Sequence, residues 1–291
     1  MKPVRLAPAG LAALALVVTA GALFAHDFWI VPDAFQVTPG GTIEIRGQTS
    51  VKFPTSQAAV TPARVAEARL VGANSDERLT DLTTRGKSLL IRHRPTTAGQ
   101  RIVAVALTPL SARTTPERLQ RYIALEGAPE LAERYAREGA YPKSDSVTQM
   151  SAKFAKTLVE VGRDGPRAFD KTVGHALELV PVNDPSLLHA GDTLVVRLVY
   201  RGQPVPGAHL HAGAAAHGVT ATSDSAQAAV PAPEGISAET GADGTARIVL
   251  GEHGLWNVRT LHAAPTAEAG AGTWEVYFAT FVFAVSAKGT P

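Results

Sequence analysis

The chain has 291 residues, with 28 Lys+Arg against 26 Asp+Glu and no cysteine. Without cysteine there are no disulfides, no thiolate metal sites, no lipoprotein attachment through Cys and no Cys nucleophile. Setting aside Lys2 and Arg5 with an N-terminal signal leaves 28 − 2 = 26 basic against 26 acidic residues, a balance that argues against a nucleic-acid binder.

Residues 1–25 read as a cleavable export signal and place the mature chain in the periplasm. Lys2 and Arg5 give the basic start, Leu11–Phe24 the apolar run, and Ala25 the small residue before the cut. Cleavage there makes His26 the first residue, with an α-amino group beside its imidazole, and those two nitrogens can chelate one metal ion. If the cut falls after Ala20 or Ala22 instead, His26 is an ordinary strand residue. No second apolar run of spanning length follows, so no integral membrane span is expected in the mature chain.

From Asp27 to about Leu110 the pattern is strand-like. Phe35 and Val37, then Ile43 and Ile45, alternate with polar neighbours across Pro39-Gly40-Gly41, and further short apolar runs follow at Ala68–Val71, Leu89–Ile91 and Ile102–Leu107. This predicts an N-terminal antiparallel β-sandwich over 26–112. Over 113–165 the spacing predicts a helical connector. Its helices are Pro116–Glu126, Pro129–Glu138 and about Val147–Val161, the last with Met150, Phe154, Leu158 and Val161 on one face.

A second β region is expected over 166–291. Its strands are Asp192–Tyr200, one through His209-Leu210-His211, Thr245–Leu250 after the hairpin signal Asp243-Gly244, Leu255–His262 and Trp274–Val285. The Ala/Gly-rich stretches Gly213–Gly235 and Ala263–Gly272 read as mobile loops. The expected fold class is therefore mainly β: two Ig-like or transthyretin-like antiparallel sandwiches joined by a short helical segment.

Several stretches together carry a family resemblance. They include His26-Asp27-Phe28-Trp29, Lys153–Val159, Gly174–Pro181, Ala242-Asp243-Gly244, Arg259-Thr260-Leu261-His262 and Trp274-Glu275. The set resembles a domain-of-unknown-function family of exported bacterial proteins described as periplasmic components of nickel or cobalt uptake. The resemblance implies metal handling, with a membrane uptake transporter as partner. Gly202–Ala208 also looks like small modules related to transthyretin and to carboxypeptidase regulatory domains. His209 and His211 depart from the family pattern, which has small or β-branched residues there, and Gly241 replaces a more usual polar turn residue.

His209 and His211 are two apart in a strand, so both project from one face and can reach one ion. His26, His262 or His217 could supply a third ligand. His262 shares a face with Trp256, Val258 and Thr260, and His175 shares one with Leu177 and Leu179, as buried, backbone-bonded histidines would. His93, His189 and His253 read as solvated. Trp29, Trp256, Trp274 and Tyr277 read as core residues rather than a sugar platform. No metalloprotease, nucleophile-elbow or phosphate-loop signature is present, and no enzyme is expected. The leading reading is a transition-metal-binding protein for uptake, with His26, His209, His211 and His262 as ligands to nickel or cobalt, or to copper. Its rivals are a non-enzymatic envelope scaffold and a copper redox enzyme built on the N-terminal histidine.

Overall fold

The computed structural model describes residues 27–215, 235–266 and 272–288. The chain first lays down β1 (Asp27–Pro32), β2 (Gln36–Val37), β3 (Ile43–Ser50), β4 (Val65–Val71), β5 (Asp76–Arg78), β6 (Asp81–Arg85), β7 (Ser88–His93), β8 (Gly99–Leu107) and β9 (Leu110–Thr114). Helices α1 (Pro116–Leu125) and α2 (Pro129–Arg137) follow, and then the long strand β10 (Val147–Val161). The remainder gives β11 (Leu177–Pro181), β12 (Thr193–Tyr200), β13 (Gln203–Pro204), β14 (His209–Ala214), β15 (Ile236–Glu239), β16 (Thr245–Val249), β17 (Gly254–Thr266) and β18 (Thr273–Val285). The expected mainly-β class is the one observed.

A ten-stranded sheet, ordered β15-β14-β17-β18-β10-β8-β4-β5 with β2 and β9 also on β10, forms the middle layer. One face, with Ile102, Ala104, Leu158, Val258 and Phe281, packs under a four-stranded sheet of β11, β12, β13 and β16. The opposite face carries two separate covers. A four-stranded sheet ordered β1-β3-β7-β6 lies over Leu70, Val103, Val105, Ala155 and Val159. The two helices lie over Leu261, Ala263, Trp274, Val276 and Phe278. A strand covered on both faces needs no polar side, which is why β8 is buried along its whole length.

The two short helices form where their caps place them. The Thr115 hydroxyl accepts from Arg118 N at 3.3 Å, Pro116 opens α1, and Gly127 leaves it at φ +108°. The helix expected over Val147–Val161 is instead β10, so helix occupies much less of 113–165 than the spacing predicts. Residues four apart share a face of a helix and of a strand alike, so Met150, Phe154 and Leu158 fit either element. The β-branched Val147, Thr148, Thr157, Val159 and Val161, with two faces to bury, settle the strand.

Asp243-Gly244 makes its turn, with Gly241 N donating to the Thr245 carbonyl at 2.8 Å, but its flanking strands do not form a hairpin. β15 pairs with β14 and β16 with β12, so the turn carries the chain between layers. The expected loop from Ala263 starts later, because β17 runs to Thr266. Residues 216–234 lie outside the described residues. Among the described residues no helix is long and apolar enough to cross a membrane.

The helical cover is anchored on one side chain. Trp274 is 1% exposed, stacks on Tyr141 at 5.0 Å and meets Tyr135 edge-on at 5.1 Å. Trp274→Ala is expected to cost about 3–5 kcal/mol, read as a lower urea midpoint. A midpoint unchanged from the parent would show that the helices do not depend on this packing.

Candidate site in the seam between the two covers

Between the helices and the β1-β3-β7-β6 sheet, the middle sheet turns polar. Along one face of β17 the residues read Leu255, Asn257, Arg259, Leu261, Ala263, and along the matching face of β10 they read Val147, Gln149, Ser151, Lys153, Ala155. The apolar ends of both rows enter the flanking cores, and the polar middles fall at the gap. Register extends the row sideways, with His211 opposite Arg259 and Arg259 opposite Thr280.

The seam is closed at one side by β1. Thr280 Oγ1 donates to the Phe28 carbonyl at 2.7 Å, and Arg259 Nη1 lies 3.3 Å from Asp27 Oδ2. These groups border a crevice of about 260 Å³ lined by Asp27, Trp29, Phe53, His211, Asn257 and Arg259. Two lining residues bury a polar atom that has no hydrogen-bond partner among the described residues: Trp29 Nε1, a donor, and Asn257 Oδ1, an acceptor. Leaving such an atom unpaired costs about 1–3 kcal/mol each.

The charges around the seam perturb one another. Burial, then the Asp27 carboxylate, push the Glu126 carboxyl up to about 7, against the pull of Lys153 and Arg259. Burial lowers Lys153 to about 8, opposed by Asp27 and Glu126. Tyr122, beside Glu126 and Asp27, is held strongly in its neutral phenol form, chiefly by burial.

Of the sequence-predicted ligands, His209 and His211 fall side by side and His262 falls elsewhere. His209 and His211 do share one face of β14, as their spacing requires, but each is engaged by the helical cover. His211 Nε2 lies 2.8 Å from the Gly127 carbonyl and His209 Nε2 lies 3.5 Å from Glu130 Oε2. Gly127 is needed for this approach, since a Cβ there would sit 3.0 Å from His211 Nε2. His262 is three residues beyond Arg259 on β17 and therefore faces the opposite side of the sheet. It packs on the Tyr200 ring at 4.4 Å, and burial depresses its pKa to about 4. His26 and His217 lie outside the described residues. Among the described residues no group of three His, Cys, Asp or Glu side chains is placed to hold a metal ion.

His175 is buried beside Phe154, as expected, but among the described residues neither ring nitrogen has a hydrogen-bond partner, and burial, then Lys156, push its pKa down to about 3. Trp29, Trp256, Trp274 and Tyr277 are all buried core residues. Asp27, Asn257 and Arg259 are not visible as a site from sequence, because Asp27 comes from β1 and the other two from β17, at opposite ends of the chain. The signal that marks them is a polar break in the middle of a face that is apolar at both ends.

Glu126 holds its proton in the folded chain over a range where the unfolded chain has lost it. Its contribution to stability is complete below about pH 4.5 and is lost as pH rises through 7. Glu126→Gln should therefore raise stability at pH 8 by about 1–2 kcal/mol, after discounting for solvent screening, and change it little at pH 4.5. Urea midpoints at the two pH values check this, and equal shifts at both would refute it.

A family model described as a domain of unknown function, DUF4198, matches residues 23–264. No curated protein matches the sequence. Among solved structures the chain is similar to the D0-D1 domain of intimin, at 12% identity over 89% of this chain and 98% of that one, with a TM-score of 0.21. It is also similar to the Escherichia coli adhesin FdeC, at 16% identity over 91% and 65%, with a TM-score of 0.23. Salmonella alpha-2-macroglobulin reacted with methylamine is a third, at 11% identity over 91% and 15%, with a TM-score of 0.24. Likenesses of this size bear on neither the site nor its chemistry.

Proposed function

The chain belongs to DUF4198, a family defined as a domain of unknown function, and on the geometry of its seam we propose that it is a non-enzymatic binding module of the cell envelope. Residues 1–25 send it to the periplasm, and the crevice bordered by Asp27, Trp29, His211, Asn257 and Arg259 is its ligand site. The observation that carries this reading is a crevice of about 260 Å³ whose walls are polar where the sheet's flanking cores are apolar, with Asp27 and Arg259 paired across it at 3.3 Å. Binding is favoured over catalysis because His211 and His209 are tied to the helical cover rather than to a nucleophile.

A second reading, uptake of a divalent transition ion, is favoured by one placement. Asp27, which follows His26 directly in the chain, shares the crevice with His211. The Gly127 carbonyl can only accept, so a neutral His211 carries its proton on Nε2 and leaves the Nδ1 lone pair for a metal. The ligand set would be the His26 α-amino and imidazole nitrogens with His211 Nδ1, and His209 and His262 would stay outside it. Nickel or cobalt comes first and copper next, delivered to a membrane uptake transporter. Protons compete at imidazole, so affinity should fall below about pH 6.

Native mass spectrometry of untagged protein taken from the periplasm separates these readings. The binding-module reading expects a non-covalent adduct that Arg259→Ala removes while circular dichroism stays unchanged. An adduct with the mass of one metal ion, lost in His211→Ala and when one residue is added before His26, selects the uptake reading. A chain that carries no adduct, and gains none on incubation with periplasmic extract, would sink both.

A further inference from the structure

Away from the seam, we propose that the Lys156 amine and the Glu178 carboxyl condense to an isopeptide bond, a covalent tie between β10 and the first strand of the outer sheet. Lys156 Nζ lies 2.6 Å from Glu178 Oε1, with side chains 3% and 1% exposed. A C=O bond of about 1.2 Å then puts Nζ within about 3.8 Å of the carboxyl carbon. Atoms poised for attack stand about 3–3.5 Å apart, so little movement separates this contact from a bond.

The exchange of bonds balances without an oxidant, a reductant or a co-reactant. Nζ bonds to Cδ, the Cδ–Oε1 bond breaks, and two of the three ammonium protons leave with Oε1 as water. The third stays on the amide nitrogen. The backbone holds the carboxyl for this attack: Val173 N donates to Oε1 at 2.7 Å and Gly174 N to Oε2 at 3.2 Å. N–H groups fixed on the carboxyl oxygens also stabilise the negative charge that gathers there when an amine adds to the carbon. Burial draws Lys156 toward its free amine, the nucleophilic form, against the pull of Glu178.

The surroundings favour the amide over the ion pair. In water the hydration of an ammonium and a carboxylate keeps them apart as ions. A buried pair has given up that hydration, and condensation replaces its two charges with a neutral group. Lys156 lies between Phe154 and Leu158 along one face of β10, and both pack into the core beneath the outer sheet. The tie also falls where the fold can use one. β11 is an edge strand, paired with β12 alone among the described residues. With no cysteine in the chain, no disulfide can staple that edge. A bond from Lys156 to Glu178 would fasten it to the longest strand of the middle layer.

Intact-mass spectrometry of the denatured, untagged mature chain tests this, with the N-terminus fixed by peptide mapping. The chain is expected to be lighter than its sequence by one water molecule. Trypsin does not cut after an acylated lysine, so digestion should give a branched peptide that joins Lys156 to the segment holding Glu178. The double variant Lys156→Met, Glu178→Leu removes both charges and strands neither, and it should show its full sequence mass. A parent chain of full sequence mass overturns the proposal, whether or not the variant folds. So does a missing water that persists in the double variant, or one that maps elsewhere, as to a succinimide at Asp243-Gly244.

Discussion

The parallel pairing of β10 with β18, from Thr148 opposite Thr273 to Thr157 opposite Val282, is the joint on which the other layers hang. Parallel neighbours cannot be joined by a tight turn, so the chain must leave β10 and return by a long excursion. That excursion is the whole of β11 to β17, which builds the outer sheet on one face before β18 closes the ladder. β10 also holds β8, β9 and β2, and so binds the early strands to the late ones. Its two faces serve different cores: Ala155 and Val159 pack beneath the first cover, while Ala152 and Leu158 pack beneath the outer sheet.

One polar contact on β10 fixes the outer sheet in place. Lys156 Nζ lies 2.6 Å from Glu178 Oε1, with both side chains almost fully buried. Glu178 also accepts from the backbone N–H groups of Val173 and Gly174 at 2.7 and 3.2 Å. Such a pair adds little net stability over an apolar one, but losing a single partner strands a buried charge, at a cost of about 3–5 kcal/mol. It therefore ties β10 to β11 across the two layers more than it adds stability. Burial lowers the Lys156 pKa, against the opposing pull of the hydrogen-bonded Glu178 carboxylate.

Much of this was legible in the residues, and the failures have physical causes. Trp256, Val258 and Thr260 alternate with Asn257 and Arg259, and that period of two places both faces of β17 correctly. Thr115-Pro116 and Gly127 bracket α1 because capping chemistry is local. β10 was unreadable from its apolar spacing because a four-residue interval is common to both periods. Pairing partners were equally hidden: nothing local says that β16 joins β12 rather than β15, since that choice is made by which layer needs a strand. His209 and His211 show the limit for a site. Their shared face follows from spacing, but the groups they meet, the Gly127 carbonyl between the helices and Glu130 in α2, lie some eighty residues earlier.

The seam follows from the same architecture. Two covers of different kinds, a sheet and a helical pair, lie on one flat face and cannot interlock at their edges, so the sheet between them does not become a dry core. Polar residues at Gln149, Lys153, Asn257 and Arg259 fit that strip, where apolar ones would present a wet hydrophobic patch. Lys153, Trp29 and Asn257 are deeply buried there, yet each of their backbones sits in a strand ladder. A site built on strands in this way keeps its donors and acceptors aimed without ligand, which lowers the ordering cost of binding.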